Sequence, residues 1–266
     1  MLQAKAKINL RLEIEKKLDN GFHYLHMINS KINLCDNIYI NVSDVNKVRF
    51  SIEDLNDTNN NIVLNILEYI QNTYNIKERL DIYIEKNIPI GAGLGGGSAD
   101  GACVLQYLNN KYNLKLDIKQ LEKIGLMFGA DIPYCLHNET SYVYGIGDNI
   151  INIEIKPFKA LLICPNIYVN TKLMFLNNKI YGNKFTLNEA KKFATSDFSN
   201  LFKNDFLMQL LENDKFRYIY NTLNKYGIVG LSGSGPSMIF IPKNKDINYF
   251  KKILKDCKIY EIYIKE

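Results

Sequence analysis

The residues with the clearest capacity for chemistry form a glycine-rich run. Residues 89–100 read PIGAGLGGGSAD and place five glycines between positions 91 and 97. Glycine loses more conformational freedom on folding than any other residue, so ordering this run is costly. A plain turn needs only one or two glycines. The run therefore indicates that the backbone must approach a ligand closely, and a flexible loop without a ligand is the alternative.

The position of the run, between a predicted strand and a predicted helix, points to an anionic ligand. Free N–H groups and the dipole at a helix N-terminus favour negative charge. Gly95, Gly96, Gly97 and Ser98 would supply these donors, and the Ser98 hydroxyl could add another. We therefore predict that the run binds a polyphosphate.

Three known phosphate motifs compete for this run, and each is rejected on its context. The Walker A pattern requires a Lys before the Ser, whereas Gly97 precedes Ser98 here. The spacing GxGxxG occurs at 91–96, but the segment 86–89 separates it from the preceding strand, unlike a dinucleotide-binding fold. The protein-kinase motifs HRD and DFG are absent downstream. A Rossmann-type oxidoreductase is therefore a remote alternative.

Two further residues could act on a hydroxyl group. Asp131 follows Gly129 and Ala130, so a loop could hold its carboxylate where it orients a hydroxyl and accepts the proton. Lys7 lies on an alternating strand, and its cation would favour the alkoxide and brace the carboxylate. The alternatives are an Asp that forms a turn or caps a helix, and a Lys that is simply exposed.

The elements that must position these residues mix strand and helix patterns along the whole chain. Strands often follow one another directly, which favours an α+β fold over a strictly alternating parallel sheet. Strands are predicted at 6–14, 28–42, 48–52, 80–85, 142–146, 151–155, 158–164, 228–231, 238–241 and 259–264. Helices are predicted at 60–74, 99–108, 118–128, 173–177, 187–193, 206–211, 218–226 and 247–254.

Composition narrows the class of protein further. The chain has 266 residues, of which 47% are hydrophobic and 23% charged, and this excludes a disordered chain, a collagen and a disulfide miniprotein. The net charge of +5 is spread along the chain, so no nucleic-acid partner is indicated. The five cysteines form no CxxC pair and predict neither a zinc site nor a disulfide framework. Without a signal peptide or a long apolar segment, we expect a soluble cytoplasmic protein that needs no membrane.

Three segments in order resemble the motifs of one family, the GHMP kinases, named after galactokinase, homoserine, mevalonate and phosphomevalonate kinases. The glycine run resembles the second motif of that family. The sequence AKINL at 6–10 resembles its N-terminal motif, and GSGPS at 233–237 resembles its C-terminal glycine motif. Together with the landmarks between them, these segments span nearly the whole chain.

Further details resemble one branch of that family, the 4-diphosphocytidyl-2-C-methyl-D-erythritol kinases of the non-mevalonate isoprenoid pathway. NGFH at 20–23 resembles the DGYH segment of that branch, and GADIP at 129–133 resembles its GADVP segment. The resemblance implies transfer of the γ-phosphoryl group of ATP to the C2 hydroxyl of the erythritol, with Mg²⁺ as a second cofactor. A homoserine or mevalonate kinase is the alternative, against which segment 20–23 and Phe175 argue. A regulator that has lost catalysis is another, against which Lys7 and Asp131 argue.

The resemblance also implies a fold, two domains and a set of site residues. A ribosomal protein S5-like, ATP-binding N-terminal domain would span residues 1–157, and an α+β C-terminal domain would span 158–266. Lys7 and Asp131 would be catalytic, and the chain would be a monomer or a homodimer. The residues expected at ATP are Pro89, Gly91, Gly93, Leu94, Gly95, Gly96, Gly97, Ser98 and Ala99. Those expected at the substrate are Asn9, Phe22, His23, Phe175, Gly233, Ser234 and Gly235. Phe22 stands where that branch usually has Tyr, which keeps stacking on a base but loses the hydroxyl, and the metal ligands stay open.

Overall fold

The structure of the protein is a computed structural model that describes residues 1–56 and 61–265. Eleven strands and ten helices lie within these residues, which confirms the predicted α+β class. The strands are β1 (Leu2–Lys17), β2 (His23–Ser43), β3 (Lys47–Phe50), β4 (Arg79–Glu85), β5 (Ser141–Gly145), β6 (Asn149–Asn152), β7 (Phe158–Pro165), β8 (Lys203–Asn204), β9 (Gly227–Leu231), β10 (Met238–Pro242) and β11 (Cys257–Ile264). The helices are α1 (Ile62–Thr73), α2 (Gly96–Lys111), α3 (Ile118–Phe128), α4 (Ile132–Cys135), α5 (Thr171–Leu176), α6 (Leu187–Thr195), α7 (Phe198–Leu201), α8 (Leu207–Leu210), α9 (Asp214–Asn224) and α10 (Ile247–Ile253).

Each predicted strand and helix overlaps an observed element of the same type. Asn60, the first residue of the helix predicted at 60–74, lies outside the described residues. The elements without a predicted counterpart are short: α4, α7, β8 and a 3₁₀ turn at Glu53–Leu55. Elements of two to four residues are too short to show a periodicity, so the sequence pattern does not reveal them.

The chain divides into two compact units, neither of which is continuous in sequence. The first unit comprises Met1–Lys7, Leu34–Pro89 and Gly95–Asn138. The second unit comprises Ile8–Asn33, Ile90–Leu94 and Glu139–Glu266. Strands β1 and β2 contribute residues to both units. The division of the sequence at residues 157 and 158 stays a prediction.

The first unit packs helices against a sheet. The end of β2 pairs antiparallel with β4, and β3 pairs parallel with the other edge of β4. Alternate residues of β4 are buried, as period-two alternation requires, while α1 and α3 each bury an apolar stripe. Members of the resulting core include Ile66, Ile70, Ile82, Leu105 and Leu121. This core fixes the end of β4 and the start of α2, which flank the glycine run.

The second unit contains two sheets. In one of them the strand order is β6, β5, β2, β1 and β8, with β1 and β8 parallel. The other has the order β11, β7, β10 and β9 and is antiparallel throughout. A turn at residues 232–237 joins β9 to β10, so the C-terminal glycine motif lies between two paired strands.

Candidate active site

In the first unit, the glycine run ends at the N-terminus of α2, as the sequence predicts. Gly95 is the N-cap residue of this helix and has a φ of +66°, in the left-handed region that glycine adopts without strain. Within the described residues no side chain caps the helix. The first N–H groups of α2, from Gly96 to Ser98, are therefore available to an anion.

Lys7 lies directly against Gly95. A Cβ atom on Gly95 would stand 2.9 Å from Cγ of Lys7, closer than such contacts normally come. Only 5% of the Lys7 side chain is exposed, so the alternative of an exposed strand lysine is wrong. Burial of a lysine requires compensating partners, which indicates a specific role for its ammonium group.

The Lys7 ammonium group pairs with Asp131. Nζ of Lys7 lies 3.3 Å from Oδ2 of Asp131, and 39% of the Asp131 side chain is exposed. Asp131 immediately precedes α4, but in the described part of the chain its carboxylate does not cap that helix. The side chain is therefore not a helix cap, although Asp131 does lie in the turn before α4. Its carboxylate is accessible to a hydroxyl group, which it could orient.

In the second unit, the middle of the glycine run packs against the C-terminal glycine motif. Gly93 has a φ of +76°, and a Cβ atom there would stand 2.8 Å from the carbonyl oxygen of Ser232 and 2.9 Å from that of Gly235. The Ser232 hydroxyl donates a hydrogen bond of 3.4 Å to the carbonyl oxygen of Gly93. Two motifs that are about 140 residues apart in sequence are thus in backbone contact, an approach that only glycine at position 93 permits.

The turn at 232–237 is also held by side chains. The Ser234 hydroxyl lies 2.8 Å from the Thr171 hydroxyl, and Nδ2 of Asn204 donates to the carbonyl oxygen of Gly233 at 2.8 Å. Asn9 is fully buried, and its backbone N–H donates to the Ser232 hydroxyl at 3.2 Å. Nδ2 of Asn9 donates to Oδ1 of Asn29 at 2.6 Å. A substrate contact of Asn9, Gly233, Ser234 or Gly235 stays a prediction.

His23 and Phe175 come together in the second unit, although 152 positions separate them. Their ring centroids are 4.9 Å apart, and Phe175 also packs edge-on against Phe206 at 4.8 Å. Tyr181, which sequence reasoning missed, stacks on His23 with centroids 6.0 Å apart and planes 7° apart. Phe22 precedes His23 and is 52% exposed. The rings of His23, Phe175, Tyr181 and Phe206 form an aromatic cluster that could hold a planar group, and Phe22 lies next to it in sequence.

The electrostatic setting of His23 favours its neutral form. Burial of the ring, and secondly the positive charge of Lys17, lower the pKa of His23 below its ordinary value. Oη of Tyr181 lies 3.5 Å from Nε2 of His23, so any hydrogen bond between them is weak. A neutral imidazole can donate one hydrogen bond and accept another, as the edge of a nucleobase requires.

The remaining residues expected at ATP lie along the same run. Gly91 and Gly97 are exposed, Leu94 and Ala99 are buried, and Pro89 is half-buried. The run is shared between the units, since positions 90–94 belong to the second unit and Pro89 and Gly95 onward to the first. An ATP contact for each of these residues stays a prediction.

Comparison with known proteins defines the class of this fold. A family profile described as the GHMP kinases N terminal domain matches residues 61–139. A crystal structure of 4-(cytidine 5'-diphospho)-2C-methyl-D-erythritol kinase superposes with a TM-score of 0.82 at 20% identity, covering 99% of this chain and 98% of the other. The mevalonate kinase of Methanococcus jannaschii superposes with a TM-score of 0.72 at 17% identity, covering 100% and 98%. The fold is that of the GHMP kinases.

Sequence relatives specify the family within this class. The 4-diphosphocytidyl-2-C-methyl-D-erythritol kinase of Clostridioides difficile (strain 630) is 33% identical over 279 aligned positions, covering 99% of this chain and 93% of the relative. The enzyme of the same name from Geobacter metallireducens is 34% identical over 247 positions, covering 89% and 87%. The chain belongs to the family of 4-diphosphocytidyl-2-C-methyl-D-erythritol kinases. Membership in a kinase family implies the use of ATP.

The helices bear on membrane association as well. Within residues 1–56 and 61–265, no helix is both long enough and apolar enough to cross a bilayer.

Proposed function

We propose that the protein transfers the γ-phosphoryl group of ATP to the 2-hydroxyl of 4-diphosphocytidyl-2-C-methyl-D-erythritol, a step of non-mevalonate isoprenoid precursor biosynthesis. The observation that carries this proposal is the similarity to enzymes of that name over nearly the whole chain. The contact between Lys7, Asp131 and the N-cap glycine of α2 supports it. A cytoplasmic location, and a monomeric or homodimeric state, are further parts of the proposal.

The glycine run would hold the phosphates of ATP. Backbone N–H groups at the start of α2 have no capping side chain among the described residues, and the helix dipole adds to their attraction for an anion. The Ser98 hydroxyl stands in the same turn, where it could bind a phosphate oxygen or lie close to Mg²⁺. When bound, ATP supplies the phosphoryl group, and Mg²⁺ neutralises charge on the phosphate oxygens.

Asp131 and Lys7 would prepare the acceptor hydroxyl. An accessible carboxylate can accept a hydrogen bond from an alcohol, orient its oxygen and take the proton as the oxygen–phosphorus bond forms. The Lys7 ammonium group, held 3.3 Å away, keeps the carboxylate in place and stabilises negative charge on the alcohol oxygen. Phosphoryl transfer depends largely on such positioning and charge stabilisation.

The aromatic cluster, together with the neighbouring Phe22, would recognise the cytosine of the substrate. Phe22 and Phe175 offer faces for stacking, and the neutral His23 imidazole offers a donor and an acceptor to the base edge. Asn9 and the turn at 233–235 are the proposed contacts for the rest of the substrate.

The proposal is tested by measuring ADP release with a panel of alcohols. The panel contains 4-diphosphocytidyl-2-C-methyl-D-erythritol, mevalonate, homoserine and galactose, with ATP and Mg²⁺ in excess. We expect turnover only with the cytidyl compound. Turnover with mevalonate or homoserine, and none with the cytidyl compound, would instead support the alternative GHMP kinase activity.

A further inference from the structure

The first unit contains a buried cluster of three charges that the proposed chemistry does not use. Nζ of Lys86 donates to Oδ2 of Asp100 at 2.6 Å and also to Oδ2 of Asp36. The side chains of Asp36 and Asp100 are 0% and 1% exposed, and that of Lys86 is 5% exposed. We call these three residues the buried triad. Lys86 stands three positions before Pro89, and Asp100 stands two positions after Ser98, so the triad joins the two ends of the glycine run.

Asp36 holds the segment that leads into the run. Its Oδ1 accepts hydrogen bonds from the backbone N–H groups of Asn87 at 2.6 Å and Ile88 at 2.8 Å. On the other side, a Cβ atom on Gly96 would stand 3.5 Å from Nζ of Lys86 and 3.1 Å from Cγ2 of Ile88. The Lys86 ammonium group therefore lies against the first turn of α2, where the anion-binding N–H groups begin.

Burial and the neighbouring charges shift the pKa values of Asp100 and Lys86 within the triad. Burial raises the pKa of Asp100 to about 7 against the pull of Lys86, and the negative charge of Asp36 adds to the rise. Burial would lower the pKa of Lys86, but the two carboxyl groups outweigh it and the pKa is raised. Oδ1 of Asp100 is buried without a hydrogen-bond partner among the described residues.

Stability alone does not account for this cluster. Buried ion pairs are often no more stabilising than apolar side chains of similar volume, because desolvation of the charges offsets their attraction. Hydrogen bonds between charged groups do, however, fix geometry closely. The segment that they fix carries five glycines, whose freedom would otherwise have to be lost when a ligand binds.

We propose that Lys86 is a positioning residue, which ties both ends of the glycine run together through Asp36 and Asp100 and so preorganises the N–H groups of α2 for the phosphates of the nucleotide. This inference rests on the proposed function, since it assigns the run to a nucleotide. Lys86 itself touches neither reacting group in this assignment. Its effect is on nucleotide affinity rather than on acceptor binding.

The test is the affinity of the full chain for Mg²⁺ and ADP, measured by isothermal titration calorimetry. Lys86→Met removes the tie while keeping an unbranched side chain, and we expect it to weaken ADP binding by about tenfold or more. The KM of the acceptor should stay within about twofold of the wild-type value. The matched control is Lys111→Met at the far end of α2, where Lys111 pairs with the partly exposed Glu78. This control should leave ADP affinity unchanged.

Two further variants keep the test decisive. Lys86→Met combined with Asp100→Asn removes the unpaired carboxyl group as well, and it should show the same loss if the single variant does not fold. Asp100→Asn alone keeps an oxygen that can accept from Lys86, and it should retain most of the affinity. Circular dichroism and urea unfolding establish that each variant is folded.

The outcomes separate this inference from the proposed function. Wild-type ADP affinity in a folded Lys86→Met variant would overturn the inference and leave the proposed function intact. Failure of both Lys86 variants to fold would also overturn it, because the triad would then be needed for folding of the chain and would not act specifically on the conformation of the glycine run. Absence of ADP binding by the wild-type protein would overturn the proposed function itself.

Discussion

At the scale of single residues, the central feature is Lys7, whose buried side chain contacts both a glycine of the run and the candidate catalytic carboxylate. Lys7 is almost fully buried, passes against Gly95 and ends 3.3 Å from Asp131. Asp131 stays accessible and does not cap the helix that follows it. One side chain thus connects a carboxylate suited to an alcohol with a helix N-terminus suited to phosphate, which is the combination that phosphoryl transfer to an alcohol requires.

Asp131→Asn should abolish most of the activity without loss of nucleotide binding. The amide cannot take the proton of the alcohol, so kcat should fall by about 10²–10⁴-fold, the usual contribution of a general base. Steady-state kinetics and ADP titration measure the two effects. Asp197→Asn is a matched control, because Asp197 also precedes a short helix without capping it. Turnover of Asp131→Asn close to that of this control would remove Asp131 from the mechanism.

Phe175→Ala should weaken binding of the cytidyl substrate selectively. Loss of one aromatic face is expected to raise the KM of that substrate by about tenfold, equivalent to about 1.4 kcal/mol. ADP affinity should not change. Tyr168→Ala, at a side chain that is 85% exposed, serves as the control for removal of an aromatic ring. An equal loss of ADP affinity would contradict a role confined to the base.

At the scale of elements, the glycine run depends on conformations and approaches that other residues do not permit. Gly95 and Gly93 both have a left-handed φ. Gly95 is also in close contact with Lys7, and Gly93 with the turn at 232–237. Gly97, by contrast, lies in the first turn of α2 with open space at its Cβ position. The glycines of the run therefore differ in what they contribute to folding.

Gly95→Ala should destabilise the protein, whereas Gly97→Ala should not. The left-handed conformation costs an alanine about 1–2 kcal/mol, to which displacement of Lys7 adds. At position 97 alanine is a better helix former, and the free energy of unfolding should change by less than about 1 kcal/mol. Urea unfolding measures both values. Equal stability of the two variants would contradict the conformation assigned to Gly95.

The elements also show which parts of the fold the sequence can predict. Alternation over residues 6–14 indicates a strand, but it suggests a single buried face. The structure buries the polar face too, including Arg11 and Glu13. Arg11 donates to the carbonyl oxygen of Asn200 at 2.8 Å, and Glu13 pairs with Lys203 at 3.1 Å. These partners are about 190 residues away in sequence, so no local pattern could reveal them.

The residues of the candidate site also divide into those that the sequence can show and those that it cannot. Lys7, Asp131 and the glycine run stand in motifs that a single sequence displays. Tyr181 and the buried triad do not, because their significance lies in contacts between distant positions, such as Lys86 with Asp36. In the sequence alone, segment 86–89 stands only as an interruption between the predicted strand and the run. The sequence offers one indication of the triad, which is that Lys86 stands three positions before Pro89 and the glycines.

At the scale of the whole molecule, net charge is a poor guide to anion binding. The chain carries a net charge of +5, spread along its length, while the proposed phosphate site consists mainly of uncharged N–H groups.

The division into two units runs through the sequence motifs themselves, since it falls between Lys7 and Ile8 and between Leu94 and Gly95. Both units therefore carry residues of the N-terminal motif and of the glycine run.

The buried triad should make stability depend on pH in a defined direction. The pKa of Asp100 is raised from an ordinary value of 3.8 to about 7, mainly by burial, so the folded state binds its proton more tightly than the unfolded state does. Stability from this group is therefore present at low pH and is lost as pH rises from about 4 to about 7. Asp100→Asn lacks this titration while Lys86 and Asp36 remain.

Urea unfolding of the two proteins across that range checks this expectation. The free energy of unfolding of the wild type, relative to Asp100→Asn, should fall with rising pH by an amount on the order of a few kcal/mol and then level off above about pH 8. A difference between the two proteins that is constant with pH would contradict the raised pKa.

The most direct measurement is ³¹P NMR of the product that the protein forms from ATP and 4-diphosphocytidyl-2-C-methyl-D-erythritol. Carbon 2 of that substrate carries a methyl group and no hydrogen. A phosphate ester at its hydroxyl therefore shows no three-bond coupling to a proton on the ester carbon. We predict one new phosphomonoester resonance without that coupling, and its loss in Asp131→Asn. No new phosphomonoester, or one split by a proton on a primary or secondary ester carbon, would contradict the proposed reaction.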